Sequence, residues 1–157
     1  MLLIGAGGAA RAAAFALVEG GASVCVSARR RKKAERLAGA AGADAVPRAR
    51  LTREFFDAIV NCTPVGMHPH GGETPLSARD LNCRLVMDMV YRPMRTRLLS
   101  IAARRGIETI SGAEMFLAQG SAQWEIWTGP RAPETVMRQA VLAALRAEES
   151  AGGDARR

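Results

Sequence analysis

A glycine-rich stretch near the start of the chain has residue types that let a backbone approach an anion. Gly5-Ala6-Gly7-Gly8-Ala9-Ala10 fits the pattern G-x-G-x-x-G/A, in which the first glycine permits a tight turn and the second leaves room for a pyrophosphate. The stretch follows the apolar run Met1–Ile4 and opens a run of small residues, which predicts a strand, a turn and a helix N-terminus. The residues predicted to bind a dinucleotide here are Gly5, Ala6, Gly7, Gly8 and Ala9.

A cluster of cations after the second apolar run bears on which dinucleotide binds. Sites that take NAD usually place Asp or Glu about 20 residues after the glycines, where it holds the ribose 2′-hydroxyl. This chain has Ser27-Ala28-Arg29-Arg30 there, and a guanidinium can hold a 2′-phosphate in a fork. The sequence therefore favours NADP, with Arg29 as the main contact. Its neighbours Arg31, Lys32 and Arg36 are interpreted as a solvated helix face.

Composition narrows the class of protein. The 157 residues are 48% hydrophobic and 24% charged, and we expect neither a membrane span nor a signal sequence. Three scattered cysteines, and two histidines without a third ligand, predict a reducing, cytoplasmic setting and no metal site. A net charge of +7 favours an anionic partner, but only 4% of residues are aromatic, which leaves few platforms for stacking bases. We expect a small phosphorylated ligand and neither a nucleic-acid nor a membrane partner.

Alternating apolar runs and helical patterns must position these residues. Strands are predicted at Met1–Ile4, Ser23–Ser27, Ala45–Val46, Ala58–Asn61, Leu85–Asp88 and Glu108–Ile110. Helices are predicted at Ala9–Glu19, Arg30–Ala41, Thr96–Arg105, Ala113–Thr128 and Pro133–Ala147, with a helical turn at Leu51–Phe56. This alternation predicts an α/β fold with a doubly wound, mostly parallel sheet of the Rossmann type. It forms a single domain over residues 1–147, followed by a frayed tail over residues 148–157.

Three further motifs make the chain similar to a known family. Asn61-Cys62-Thr63-Pro64-Val65-Gly66-Met67 resembles the N-x-T-x-x-G-M signature of shikimate dehydrogenases. Asp88, Tyr91 and Pro93 resemble their D-x-x-Y-x-P segment, and residues 112–129 resemble their G-x-x-M-x-x-x-Q…W-x-G ending. With the glycine-rich stretch, the similarity covers residues 1–146. It is greatest to the dehydrogenase half of bifunctional 3-dehydroquinate dehydratase/shikimate dehydrogenases.

The resemblance implies a cofactor site and part of a substrate site. The positions that match cofactor contacts outside the glycine-rich stretch are Ala28, Arg29, Arg30, Lys33, Thr63, Val65, Met89 and Gly112. Ala28 and Arg30 depart from the usual Asn and Thr of the family's N-R-T-x-x-R/K segment. The positions that match substrate contacts are Tyr91 and Gln119, and Asp88 is interpreted as a residue that braces the loop rather than one that catalyses.

The resemblance covers only the NADP-binding half of the family's two-domain fold. The catalytic Lys and Asp of the family belong to an N-terminal substrate domain, so no catalytic residue is assigned here and the chain alone is predicted to be inactive. The whole enzyme would reduce 3-dehydroshikimate with NADPH to shikimate, a step towards chorismate and the aromatic amino acids. Alternatives are a quinate or quinate/shikimate dehydrogenase, a stand-alone NADP-binding sensor or partner subunit, and a basic nucleic-acid binder.

Overall fold

The computed structural model describes residues 1–154, and their six strands form one parallel sheet. The strands are β1 (Leu2–Ile4), β2 (Cys25–Ser27), β3 (Asp44–Ala45), β4 (Phe56–Asn61), β5 (Cys83–Asp88) and β6 (Glu108–Ile110). Their order is β3-β2-β1-β4-β5-β6, and every neighbouring pair is parallel. The chain winds outward from β1 to β3 and then returns to the other side of β1. The order of the strands therefore reverses between β1 and β4, which is where ligands of such sheets bind.

Helices cover both faces of the sheet. They are α1 (Gly8–Glu19), α2 (Arg31–Ala41), α3 (Arg97–Arg104), α4 (Gly112–Thr128) and α5 (Glu134–Asp154), with 3₁₀ turns at Arg48–Arg50 and Ala78–Asp80. Because side chains alternate along a strand, Leu2 packs in one core with α3, whereas Leu3 packs in a second core with α1 and α2. Within α1, the fully buried Ala10 and Ala14 let the helix lie close to the sheet. The predicted doubly wound α/β fold is confirmed.

Two elements differ from the sequence prediction. No helical turn spans Leu51–Phe56, because Phe56 is buried and begins β4, where it pairs with Cys83. Helix α5 continues to Asp154 rather than ending at Ala147. Residues 155–157 of the predicted tail lie outside the described residues. None of the helices within residues 1–154 combines the length and the hydropathy needed to cross a membrane.

Candidate functional site

The glycine-rich turn connects β1 to α1 at the carboxyl edge of the sheet. Gly5 has a φ of +117°, and a Cβ built on it would lie 3.0 Å from Thr63 Cγ2 and 3.1 Å from the Cys62 carbonyl oxygen. Only glycine fits there, because the turn passes against the end of β4. Gly7 and Gly8 face open space instead, since a Cβ on either would meet no described atom within 4 Å beyond its immediate neighbours. A ligand can therefore approach the backbone at Gly7 and Gly8.

Helix α1 begins at Gly8 with its N-terminus open. In the described part of the chain, no side chain caps this helix, and its first turn holds no acidic residue. The first N–H groups of a helix lack partners within the helix, and the helix dipole places partial positive charge there. This end of α1 is therefore suited to an anion.

Two pockets flank the turn. The strand-end pocket has a volume of about 440 Å³ and is lined by Ala9, Cys62, Thr63, Pro64, Met67, His68, Met89, Val90, Tyr91 and Arg92. The basic pocket has a volume of about 460 Å³, lies between α1 and α2, and is lined by Ala6, Gly7, Gly8, Arg11, Lys33, Arg36 and Leu37. An elongated ligand whose middle is anionic can lie across the turn and reach both pockets. That is the shape of a dinucleotide.

The structure brings some of the predicted strand-side residues together and separates others. Thr63, Met89 and Tyr91 line the strand-end pocket with Ala9, whereas Val65 is half-buried outside its lining. Gly112 is buried against the Val90 backbone.

Tyr91 links this pocket to α4. Its ring centroid lies 5.0 Å from that of Phe116, at an interplanar angle of 32°. Gln119 is exposed and lies one turn beyond Phe116, which puts both residues on the same face of α4. Gln119 is not among the residues that line the pocket.

On the basic side, only Lys33 of the predicted cations lines the pocket. Arg29 and Arg30 are exposed in the bend between β2 and α2, and Ala28 beside them is half-buried. Sequence reasoning missed Arg11 and Arg36, which line the basic pocket. The spacing of Arg36, three residues after Lys33 on one helix, was a signal that could have placed both on one face.

His68 lies in the loop after β4, and sequence reasoning assigned it no role at the site. It is exposed, yet it lines the strand-end pocket. Its backbone N–H donates to the Arg92 carbonyl oxygen at 2.8 Å. This bond holds the loop after β4 against the segment after β5, and no local sequence signal reports it.

A buried amide orders the loop that follows β4. Asn61 Oδ1 accepts hydrogen bonds from the Thr63 N–H at 3.0 Å and from Thr63 Oγ1 at 2.7 Å. Asn61 Nδ2 donates to Asp88 Oδ1 at 2.8 Å and to the Val65 carbonyl oxygen at 3.3 Å. Because both ends of the amide are engaged, the backbone of the pocket-lining loop is fixed to the end of the sheet.

Asp88 anchors the same network from β5. Its carboxylate also accepts from the Val90 N–H at 3.0 Å and from Thr96 Oγ1 at 2.7 Å, and Thr96 caps α3. Burial raises the pKa of Asp88, while the hydrogen bonds from Thr96, Val90 and Asn61 oppose that rise. These contacts confirm that Asp88 braces the loop.

Cys62 lines the strand-end pocket as an unreactive thiol. Burial, with a smaller contribution from the negative charge of Asp88, raises the pKa of Cys62 to about 12. Since the thiolate is the nucleophilic form, Cys62 contributes packing rather than chemistry near neutral pH.

The raised pKa of Asp88 predicts how stability depends on pH. The folded chain keeps this proton to higher pH than the unfolded chain, so ionising Asp88 lowers the free energy of unfolding as the pH rises from 3.8 through the raised pKa. In Asp88→Asn, the new amide can donate to Thr96 Oγ1 and accept from Asn61. We expect its stability relative to the parent to increase across that window and then stay constant.

Urea titrations at a series of pH values measure this difference. Asp57→Asn, at a carboxylate that is 77% exposed, controls for the loss of one negative charge. The free energy of unfolding of Asp88→Asn minus that of the parent should rise with pH across the window. A difference that stays constant there, or that falls, would contradict the expectation.

A parallel sheet in the order 3-2-1-4-5-6, with an open glycine turn where that order reverses, defines a Rossmann-type dinucleotide-binding domain. Residues 112–142 match the family model for the shikimate 5′-dehydrogenase C-terminal domain. In sequence and in fold, the chain matches the C-terminal, NADP-binding portion of shikimate dehydrogenases over nearly all of its length. The resemblance drawn from the sequence motifs is thereby confirmed.

Three known proteins illustrate the similarity. The NADP⁺ shikimate dehydrogenase of Halobacterium salinarum is 46% identical over 147 residues, which are 92% of this chain and 55% of that protein. The Thermus thermophilus enzyme solved with NADP(H) and shikimate is 36% identical at a TM-score of 0.85, and the match covers 92% of this chain and 54% of that enzyme. The quinate dehydrogenase of Corynebacterium glutamicum, solved with NAD, is 30% identical at a TM-score of 0.79, covering 90% and 54%. The chain therefore spans about half the length of the relatives it matches.

Proposed function

We propose that this chain is the NADP-binding part of a shikimate dehydrogenase that interconverts 3-dehydroshikimate and shikimate. One observation carries the proposal: an open glycine turn lies between a pocket lined by the motif residues of β4 and β5 and a pocket lined by cations. The similarity to NADP⁺ shikimate dehydrogenases over 92% of the chain supports the same assignment.

Each predicted residue then has a place along the cofactor. The backbone of the turn holds the pyrophosphate through Gly5, Ala6, Gly7, Gly8 and Ala9. The adenosine end with its 2′-phosphate is held by Ala28, Arg29, Arg30 and Lys33. The nicotinamide end is held by Thr63, Val65, Met89 and Gly112. Tyr91 and Gln119 bind the substrate, and NADPH supplies the hydride when bound.

Arg29 gives this proposal a direct test. We expect the chain to bind NADP much more tightly than NAD in calorimetry, because cations replace the acid that an NAD site uses after β2. Arg29→Ala should weaken the binding free energy of NADP by about 1.5–3 kcal/mol, the range for hydrogen bonds to charged groups. It should barely change the affinity for NAD. Arg53→Ala removes an exposed arginine before β4, at the opposite edge of the sheet, and is the matched control. Equal affinities for the two cofactors in the parent would contradict the NADP assignment.

Quinate dehydrogenation is the second candidate, favoured by one observation. A quinate dehydrogenase solved with NAD shares the fold at a TM-score of 0.79. Oxidation of quinate but not of shikimate, once a substrate domain is added to this chain, would favour that activity, whereas oxidation of shikimate alone would contradict it.

The surface of α4 supports a second domain as partner. Its C-terminal half carries three exposed apolar side chains: Trp124 is 42% exposed, Ile126 78% and Trp127 77%. The two tryptophans therefore do not pack in the core of the described residues. Trp124 and Trp127 are three residues apart on one face of α4, and contiguous exposed apolar groups mark interaction surfaces. We propose that a substrate domain, corresponding to the other half of the relatives, covers this part of α4.

The same partner would complete catalysis. We expect the isolated chain, mixed with shikimate and NADP, to oxidise shikimate at close to the background rate. The positioning of the substrate and the general base are both attributed to the partner. A general base alone typically raises the rate about 10²–10⁴-fold. Absorbance of the reduced nicotinamide measures turnover, and NADP binding by the same sample is the control. Rapid turnover by the chain alone would contradict this division. NADP binding without activity after a substrate domain is added would favour the stand-alone sensor.

The state of the cysteines supports a cytoplasmic setting. Cys25, Cys62 and Cys83 are all free thiols. Free thiols persist in reducing compartments and are oxidised or paired in secreted proteins. We propose the cytoplasm as the compartment of this protein, in keeping with a supply of NADPH.

A further inference from the structure

We propose that Arg36 is a specificity residue for the ribose 2′-phosphate, an inference that rests on the proposed NADP-binding function. The sequence alone assigns Arg36 to a solvated helix face. In the fold, Arg36 lines the basic pocket together with Lys33 and Arg11, on the side of the glycine turn away from the strand-end pocket. A phosphate on the adenosine end of a dinucleotide would enter this pocket.

The positions of the three cations on two helices explain why they converge. Lys33 and Arg36 are three residues apart on α2, so both point from one face of that helix. Arg11 faces them from α1, where its guanidinium carbon lies 4.9 Å from the centroid of the Phe15 ring. The pocket between the helices therefore has cationic walls on both sides.

Charge neutralisation distinguishes Arg36 from Arg31, its neighbour on α2. Arg31 is paired with Glu35, with Nε and Oε1 2.7 Å apart. Among the side chains that the structure describes, by contrast, Arg11, Lys33 and Arg36 form no ion pair with a carboxylate, and no acidic residue lines the pocket. Three unneutralised cations around one concave site favour a doubly charged anion, and a guanidinium can hold it with two parallel N–H bonds.

The residues after β2 also favour a role for Arg36 in binding the 2′-phosphate. Ala28 offers no polar side chain where the related motif has Asn, and neither Arg29 nor Arg30 is among the residues that line the basic pocket. Arg36 supplies a fork-shaped donor inside that pocket. The specificity for the 2′-phosphate is thus shared between the bend after β2 and the second turn of α2.

Calorimetry with fragments of the cofactor isolates this contact. The probes are adenosine 2′,5′-bisphosphate and 5′-AMP, which differ only by the 2′-phosphate, together with NADP and NAD. We expect Arg36→Ala to weaken binding of the bisphosphate and of NADP by about 10- to 100-fold, the range for a charge-assisted hydrogen bond, and to leave 5′-AMP and NAD nearly unchanged. Arg36→Lys should recover part of the loss, since it keeps the charge without the fork.

Lys32→Ala is the matched control, because Lys32 is exposed, belongs to the same run and does not line the pocket. Equal losses of NADP affinity in Arg36→Ala and Lys32→Ala would mean that Arg36 acts only through the overall positive charge of this region. That result would overturn the inference. Tight NADP binding that Arg36→Ala leaves intact would overturn it too, while the proposed function stands. A parent chain that binds no NADP would overturn both.

Discussion

Replacing Gly7 with valine is expected to abolish binding of both NADP and NAD while leaving the fold intact. Gly7 has φ −92° and ψ −169°, an extended conformation that valine adopts readily, and its Cβ would project into open space. The free energy of unfolding should change by about 1 kcal/mol or less, as for most surface substitutions. The space that the new side chain fills is the one that the pyrophosphate needs. Losing two charge-assisted hydrogen bonds, each worth about 1.5–3 kcal/mol, lowers affinity by more than about 100-fold.

Calorimetry and a circular dichroism melt separate the two effects in Gly7→Val. Gly72→Val is the matched control, because Gly72 is also exposed and faces open space but lies in the loop after β4. That variant should bind NADP as the parent does. Normal NADP binding by Gly7→Val would show that the pyrophosphate lies elsewhere.

Gly112→Ala is expected to destabilise the protein even though alanine favours helix formation. A Cβ on Gly112 would lie 2.6 Å from the carbonyl carbon and oxygen of Val90 and 2.7 Å from the Met89 carbonyl oxygen. These atoms belong to the backbone at the end of β5, so relief requires α4 to move away from the sheet. Overpacking of this kind costs about 1–3 kcal/mol, which exceeds the helix preference for alanine of about 1 kcal/mol. The displaced residues line the strand-end pocket, so NADP binding should weaken as well.

Gly39→Ala provides the control for helix preference. Gly39 is exposed within α2, and its Cβ would meet no described atom within 4 Å outside its own helix. We expect this variant to gain about 0.5–1 kcal/mol in urea denaturation. If Gly112→Ala were as stable as Gly39→Ala, the close packing of α4 on β5 would be refuted.

Features encoded by local chemistry could be predicted from the sequence. The apolar run at the start, the glycines after it and the small residues of α1 each have a direct physical meaning, and they place β1, the turn and α1 correctly. The absence of an acid after β2 similarly predicts which end of the site meets the adenosine, and that assignment stays a prediction. Such features depend on neighbours within a few residues.

Features created by contact between distant segments were harder to predict. Phe56 was assigned to a helical turn because its pairing with Cys83 depends on the sheet. Arg36 is exposed, as the sequence predicts, but the pocket that it also lines could not be predicted because that pocket needs α1 opposite α2. The need for glycine at position 112 arises from the approach of α4 to β5, and the similarity to a family marked that position without giving this reason.

The central place of β1 imposes an order on folding during synthesis. Leu2 pairs with Cys25 on one side and with Ile59 on the other, so during synthesis β1 waits for β4 before its second edge is covered. Because loop closure must precede such distant pairing, parallel sheets form slowly. At roughly 5–20 residues per second, the nascent chain exposes an apolar strand edge for several seconds. During this interval the unpaired edge of β1 is open to aggregation and to chaperone binding.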